Sequence, residues 1–120
     1  MIIGIGNDII EIARVLKACS RESFTTRIYT ENERREASGH EQRLADDFAV
    51  KEAVAKALGT GFAGFRPIDI EVLRDDKGKP YVTLHGKAAE LADRAHITRI
   101  HVSISNTKDL ASAVAICECS

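Results

Sequence analysis

The chain has 120 residues, and its 17 lysines and arginines against 18 aspartates and glutamates give a formal net charge of −1. This length predicts a single domain over residues 1–120 that buries enough surface to fold without disulfide bonds. The balanced charge argues against nucleic-acid binding, and the lack of an apolar run of roughly 20 residues argues against a membrane span.

Cysteine usage and the first residues predict a cytoplasmic protein. The three cysteines, at positions 19, 117 and 119, are an odd number without CxxC spacing, which is typical of free thiols in a reducing compartment. The sequence begins Met-Ile-Ile-Gly-Ile-Gly and lacks the basic segment and cleavage site of a signal peptide.

The first predicted elements are a strand and a helix. An apolar run over residues 2–5 that ends at Gly6 indicates a short buried strand, which Asn7 and Asp8 close. Apolar residues then recur with helical spacing, and the opposite face of this helix carries Arg14, Lys17 and Arg21. Such a basic stripe is either a solvated helix face, which is the commoner case, or a docking surface for an acidic partner.

Two more helices are predicted in the first half of the chain. Residues 30–33, Thr-Glu-Asn-Glu, fit a capping box and indicate a short polar helix that ends near Gly39. A long helix is predicted over residues 41–58, because glycine and proline are absent there and alanine, the best helix former, is frequent. Gly59 is its expected stop.

The long helix is unusual because alanine and valine surround it on nearly every side, so we expect it to be buried. Into this setting it places Lys51, Glu52 and Lys56. Burying an unpaired charge is costly, so these side chains must reach a cleft, a metal ion or one another. Glu52 and Lys56 lie four residues apart on one side of the helix. The simpler interpretation, which the pattern by itself favours, is a surface Glu–Lys pair.

The second half of the chain is predicted to be mainly β-structure. After a glycine-rich loop come a hairpin, a short helix and two more strands, at residues 68–72 with 81–85, 87–95, 100–105 and 113–117. Helices first and hairpins later indicate an α+β fold, in which a largely antiparallel sheet wraps around one long central helix.

Two carboxylates stand out by position, Asp8 at the end of the first strand and Glu52 within the apolar helix. If the strand packs beside the helix, both point into one cleft. Two carboxylates with waters suit Mg²⁺, which often takes its remaining ligands from substrate phosphates. Lys56, one turn beyond Glu52, would act near such an ion as a cation toward phosphate or as a base.

Backbone N–H groups for a phosphate are offered by the loop that follows the long helix, at Gly59, Thr60 and Gly61. A C-terminal helix cap explains these residues equally well, and the helix dipole opposes an anion at this end.

No nucleophile is placed convincingly in the sequence. Ser103 and Ser105 share a strand with His101, but no acid completes a triad. We therefore expect the attacking group to come from another molecule.

Several stretches together carry a likeness to a known family. They are Gly-Ile-Gly-Asn-Asp-Ile-Ile-Glu-Ile-Ala-Arg at residues 4–14, Tyr-Thr-Glu-Asn-Glu at 29–33, Phe-Ala-Val-Lys-Glu-Ala-Val-Ala-Lys-Ala at 48–57, the hairpin at 69–80 and Val-Ser-Ile-Ser at 102–105. In this order they resemble the small stand-alone 4′-phosphopantetheinyl transferases of the holo-[acyl-carrier-protein] synthase type. The likeness spans essentially the whole chain.

The family moves the phosphopantetheine arm of coenzyme A onto a serine of acyl carrier protein and releases adenosine 3′,5′-bisphosphate. The resemblance implies Mg²⁺ held by Asp8 and Glu52, with Lys56 beside them, and active sites at the interfaces of a homotrimer. It also implies that Arg14 meets the acidic carrier protein and that Ser105 lies at a substrate position. The serine proton would pass to Lys56 or to a metal-bound water activated by Glu52.

Three positions depart from the usual family pattern. Asn7 stands where an aliphatic residue is usual, Asp47 where arginine is common and Asn106 where histidine is usual. An acid at position 47 would repel phosphates if it faced the cleft, and Asn106 cannot carry positive charge. These departures motivate two alternatives: a carrier-protein-binding module of the same fold with reduced or lost turnover, or another Mg²⁺-dependent enzyme acting on a diphosphate.

Overall fold

The computed structural model describes residues 1–120, and ten helices and strands account for most of them. In chain order they are β1 (Ile2–Glu11), α1 (Ile12–Cys19), α2 (Glu22–Ile28), α3 (Glu31–Glu36), α4 (Gln42–Ala57), β2 (Ile70–Arg74), β3 (Pro80–Leu84), α5 (Gly86–Arg94), β4 (Arg99–Asn106) and β5 (Leu110–Glu118). One turn of 3₁₀-helix, Pro67–Asp69, leads into β2.

All strand pairs are antiparallel and form two sheets, in the order β1–β5–β4 and β2–β3. Helix α4 packs against β1 and β5 of the larger sheet and against β2 of the hairpin. The main core contains small side chains of α4 and β5, including Ala53, Val54, Ala113 and Ala115. The predicted α+β fold is therefore confirmed, with two sheets in place of one.

Helix α4 and strand β1 approach closely because two glycines face the helix. A side chain at Gly4 or Gly6 would collide with the carbonyl oxygens of Ala57 and Ala53. Ten of the 16 residues of α4 are buried, as expected for a helix without a solvent-facing side. Strand and helix meet backbone to backbone, which brings the inward side chains of β1 next to those of α4.

The prediction that the first strand ends at residue 5 was wrong, because β1 continues to Glu11. Asn7 and Asp8 pair with β5 through their backbone groups, and this pairing does not depend on the polar side chains. The following helix begins only at Ile12. Asp8 therefore lies within a strand rather than in a turn.

One element, helix α2, was not predicted, because its seven residues include two β-branched threonines and lack apolar spacing. The capping box is confirmed: Thr30 Oγ1 accepts from the Glu33 N–H, and Glu33 Oε1 accepts from the Thr30 N–H. The three cysteines are free thiols, as predicted. No helix combines the length and apolar character that crossing a bilayer requires.

Candidate active site

Asp8 of β1 and Lys56 of α4 are in direct contact. The Lys56 ammonium donates to Asp8 Oδ1 and to the Asn7 carbonyl oxygen, both at 3.0 Å. The Asp8 side chain is 16% exposed and faces α4, because the even-numbered residues of β1 point inward. The Lys56 side chain is 52% exposed. The pair therefore lies at the protein surface where strand and helix meet.

Glu52 lies one turn before Lys56 on the same side of α4 and is half-buried. Its carboxylate has neither a hydrogen-bond donor nor an ion-pair partner within the chain. Burial raises the pKa of Glu52, the nearby negative charge of Asp8 raises it further, and Lys56 acts in the opposite direction. The structure thus brings the two carboxylates close enough to repel each other, and one of them lacks a partner.

This donor set fits Mg²⁺. A hard divalent cation prefers carboxylate oxygens and would relieve the repulsion between Asp8 and Glu52. No third histidine, cysteine or acidic residue joins them. The remaining ligands would be waters and substrate phosphate oxygens, which is the usual arrangement for this ion.

The loop at residues 59–61 lies directly after α4, and most of its backbone N–H groups have partners. The Gly59 N–H donates to the Lys56 carbonyl oxygen at 3.0 Å, and the Gly61 N–H donates to that of Ala55 at 3.1 Å. Both glycines have positive φ, as is usual at a helix C-terminus. Thr60 contributes the one N–H of the three that no backbone carbonyl accepts.

Arg14 projects from α1 into solvent, with 83% of its side chain exposed and Glu11 at 3.9 Å as its only ionic neighbour. Lys17 lies on α1 with Arg14, whereas Arg21 lies beyond the end of this helix at the start of α2, so the prediction that one helix carries all three was wrong. All three nevertheless line one shallow depression and form a continuous basic surface. Beside it lies an apolar groove of about 510 Å³ that Arg14 borders and that Phe24 and Phe48 help to line.

Ser105 is not part of this group within the chain. Asp8 lies opposite Ala113 of β5, and Ala113 lies opposite Ile104 of β4, so Ser105 is two strands away, roughly 10 Å. The inward residues of β4 are even-numbered, so Ser105 is on the outer face of the sheet, where it is exposed.

Two of the three departures from the family pattern, Asp47 and Asn106, form side-chain hydrogen bonds. Asp47 is buried and accepts a hydrogen bond from Arg74 Nη1, so it does not face the site. Burial raises the pKa of Asp47 to about 7, although Arg74 acts to lower it. Asn106 donates to both carboxylate oxygens of Asp46, at 3.0 and 3.1 Å, and so ties the end of β4 to α4.

Lys51, which the sequence placed in an apolar setting, is paired with Glu33. Sequence reasoning did not find this partner, because Glu33 was already assigned to the capping box. The sequence did contain one indication of this pair. A capping box uses only one of the two carboxylate oxygens of Glu33, so the other remains free to bind a buried cation.

The site can be compared with known proteins. The chain matches the family model described as the 4′-phosphopantetheinyl transferase superfamily over residues 4–115. It is 56% identical over 118 residues to the holo-[acyl-carrier-protein] synthase of Lachnoclostridium phytofermentans, which covers 98% of this chain and 97% of that protein.

Two solved structures are similar over the whole chain. The Plasmodium yoelii acyl carrier protein synthase with ADP bound has a TM-score of 0.89 and 33% identity, covering 100% of this chain and 97% of that one. The Bacillus anthracis holo-(acyl-carrier-protein) synthase in complex with CoA (3′,5′-ADP) has a TM-score of 0.82 and 40% identity, covering 100% and 99%.

Proposed function

The chain belongs to the 4′-phosphopantetheinyl transferase superfamily, and we propose that it transfers the 4′-phosphopantetheine group of coenzyme A to a serine of apo acyl carrier protein. In this reaction the serine oxygen forms a bond to phosphorus, the bond to adenosine 3′,5′-bisphosphate breaks, and the serine hydroxyl loses its proton. The observation that carries the proposal is the joint placement of Asp8, Glu52 and Lys56.

Asp8, Glu52 and Lys56 would have different roles in this reaction. We propose that Asp8 and Glu52 hold Mg²⁺, which would neutralise charge on the diphosphate of coenzyme A. Lys56, which the structure places against Asp8, would donate to a phosphate oxygen. Glu52 would accept the serine proton through a water. The chain needs no nucleophile because the carrier serine supplies it.

We propose that the outer face of the larger sheet is an interface between copies of the chain in a homotrimer. Ile5 and Ile9 of β1 are 67% and 63% exposed and Leu110 of β5 is 39% exposed, which is unusual for large aliphatic side chains on one sheet. Ser105 lies on the same outer face. A neighbouring subunit packed there would cover the aliphatic residues and could bring Ser105 toward a second subunit's Asp8 and Glu52.

The basic stripe of Arg14, Lys17 and Arg21 fits an acidic carrier protein. Its charges have few partners within the chain and so remain available to steer a negatively charged protein. We infer that the carrier docks across α1, with its serine directed toward Lys56.

The test is a modification assay. The protein is mixed with apo carrier protein, coenzyme A and Mg²⁺, and the carrier is examined by mass spectrometry. We expect the mass of the carrier to increase by that of the phosphopantetheine arm. No such increase is expected when the metal is chelated before the reaction. Absence of product with several carrier proteins, together with retained carrier binding, would support the binding module instead. Product without any metal would contradict the assignment of Asp8 and Glu52.

A further inference from the structure

Lys51 and Glu33 form an ion pair that is closed off from solvent, since both side chains have 0% exposure. The Lys51 ammonium donates to Glu33 at 2.9 Å and to the carbonyl oxygens of Pro67 and Ile70 at 3.0 and 2.6 Å. These three acceptors match the three N–H groups of an ammonium. Every N–H group of the buried Lys51 ammonium therefore has a hydrogen-bond acceptor within the protein.

The Glu33 carboxylate is equally well satisfied. It accepts the backbone N–H groups of Thr30 and Val72, each at 2.8 Å, in addition to Lys51. The pair thus connects α4 with the start of α3, the 3₁₀ turn and β2. Because an unpaired buried charge is costly, a placement of α4 that broke these bonds would be strongly disfavoured.

The buried pair and the contact with β1 lie on opposite sides of α4. Successive helical residues are about 100° apart, so Ala53, which Gly6 contacts, is about 200° from Lys51. Glu52 lies between the two, about 100° from each. Helix α4 is therefore held from two sides, and Glu52 projects from the side between them.

We propose that Lys51 and Glu33 are positioning residues whose buried pair fixes the rotation and height of α4, and thereby keeps the Glu52 carboxylate beside Asp8. The inference rests on the proposed Mg²⁺ site. The pair touches neither substrate nor metal and acts only through the helix. Core packing alone would specify the rotation poorly, because small apolar side chains surround α4 on most sides and are easily repacked. The polar contacts that Asp46 and Asp47 make from α4 lie more than one helical turn before Glu52.

The experiment compares Lys51→Met with Val54→Ala. Val54 is fully buried three residues along the same side of α4, so its truncation loosens the core without touching the ion pair. Binding of Mn²⁺ is measured by electron paramagnetic resonance with coenzyme A present and carrier protein absent. We expect Lys51→Met to weaken Mn²⁺ binding about 10-fold, as losses of supporting residues around metal ligands do. Val54→Ala should retain affinity close to that of the unaltered protein.

A kinetic measurement gives a second readout. In the complete reaction, Lys51→Met should raise the Mg²⁺ concentration needed for half-maximal rate about 10-fold while leaving the KM for carrier protein unchanged. If this variant fails to fold, the double variant Glu33→Gln/Lys51→Met replaces it, because it leaves no unpaired charge in the core. We expect the double variant to fold and still to bind Mn²⁺ weakly.

The outcomes separate the inference from the proposed function. Unchanged Mn²⁺ affinity in a folded Lys51 variant overturns the inference and leaves the metal site standing. An equal loss in Val54→Ala also overturns it, because general loosening would then explain the effect. If the unaltered protein binds no more Mn²⁺ than Asp8→Asn does, the metal site and the inference both fail.

Discussion

Gly6 of β1 lies against the Ala53 carbonyl oxygen of α4, with no room for one added carbon atom. Asp8 follows Gly6 by two residues on the same face of the strand, and Glu52 precedes Ala53 by one residue on the helix. The absence of a side chain at position 6 therefore sets the separation of the strand and the helix that carry the two carboxylates.

Gly6→Ala is expected to destabilise the fold and to separate the two carboxylates. Overpacking against backbone should lower the free energy of unfolding by about 2 kcal/mol or more, measured by urea denaturation. The control is Gly39→Ala, which has open space around it and only the strain of a positive φ, roughly 1 kcal/mol. A Gly6→Ala protein as stable and as active as the unaltered one would show that β1 can move away from α4 without consequence.

Glu52→Gln is expected to remove most Mg²⁺-dependent transfer, by about 100-fold, because it takes away a proposed metal ligand. In metal-free buffer its melting temperature should be equal to or slightly above that of the unaltered protein. The reason is that burial and Asp8 raise the pKa of Glu52, so its charge disfavours the folded state at neutral pH. Turnover is measured by the modification assay, with Glu90→Gln on the exposed part of α5 as the control. Unchanged turnover would make Glu52 a purely structural residue.

Arg14→Ala is expected to weaken binding of the carrier protein more than binding of coenzyme A. The KM for carrier should rise several-fold, and the difference should shrink at high salt, where the screening length falls from roughly 10 Å at 0.1 M to 3 Å at 1 M. Arg35→Ala, also exposed but on α3, is the control for loss of one positive charge. Equal losses for both substrates would refute a docking role.

Helix α4 and the capping box of α3 could be predicted from local features of the sequence. Glycine and alanine content placed α4 to within one residue at each end, and the capping box at Thr30 and Glu33 was found from four residues. These features depend on neighbours in the sequence. The length of β1 was missed because Asn7 and Asp8 have low strand preference, whereas pairing with β5, more than 100 residues later, determines their conformation.

The site itself was predictable only in part, for a related reason. Asp8 and Glu52 were singled out as acids in apolar surroundings, but their mutual approach depends on how β1 packs on α4. The partners of Lys51 and Asp47 could not be read from sequence, since Glu33 and Arg74 are 18 and 27 residues away in other elements. Only the family resemblance indicated Ser105 as a substrate residue, and the structure places it on the outer face of the sheet, away from Asp8 and Glu52 of the same chain.

The Glu71 carboxylate of β2 is held by several hydrogen bonds, so its charge is expected to stabilise the fold. Its carboxylate accepts from the Thr30 hydroxyl and the Asn32 amide, and it lies 3.1 Å from His85 Nε2. Burial acts to raise the pKa of Glu71, but the hydrogen bonds from Thr30, His85 and Asn32 outweigh it and hold the pKa below its ordinary value of 4.5. The ionised form is therefore favoured in the folded protein.

Glu71→Gln is expected to lower the free energy of unfolding by about 2 kcal/mol at neutral pH, because hydrogen bonds to a charged group are lost. A depressed pKa in the folded state means that this stabilisation is present above pH 4.5 and is lost as the pH falls through the folded pKa. The difference in melting temperature between the two proteins should therefore become smaller as the pH is lowered from neutral to below 4.5. Glu31→Gln, an exposed acid on α3, should show little difference at either pH. A gap that stays constant with pH would mean that Glu71 stabilises the fold by packing rather than by its charge.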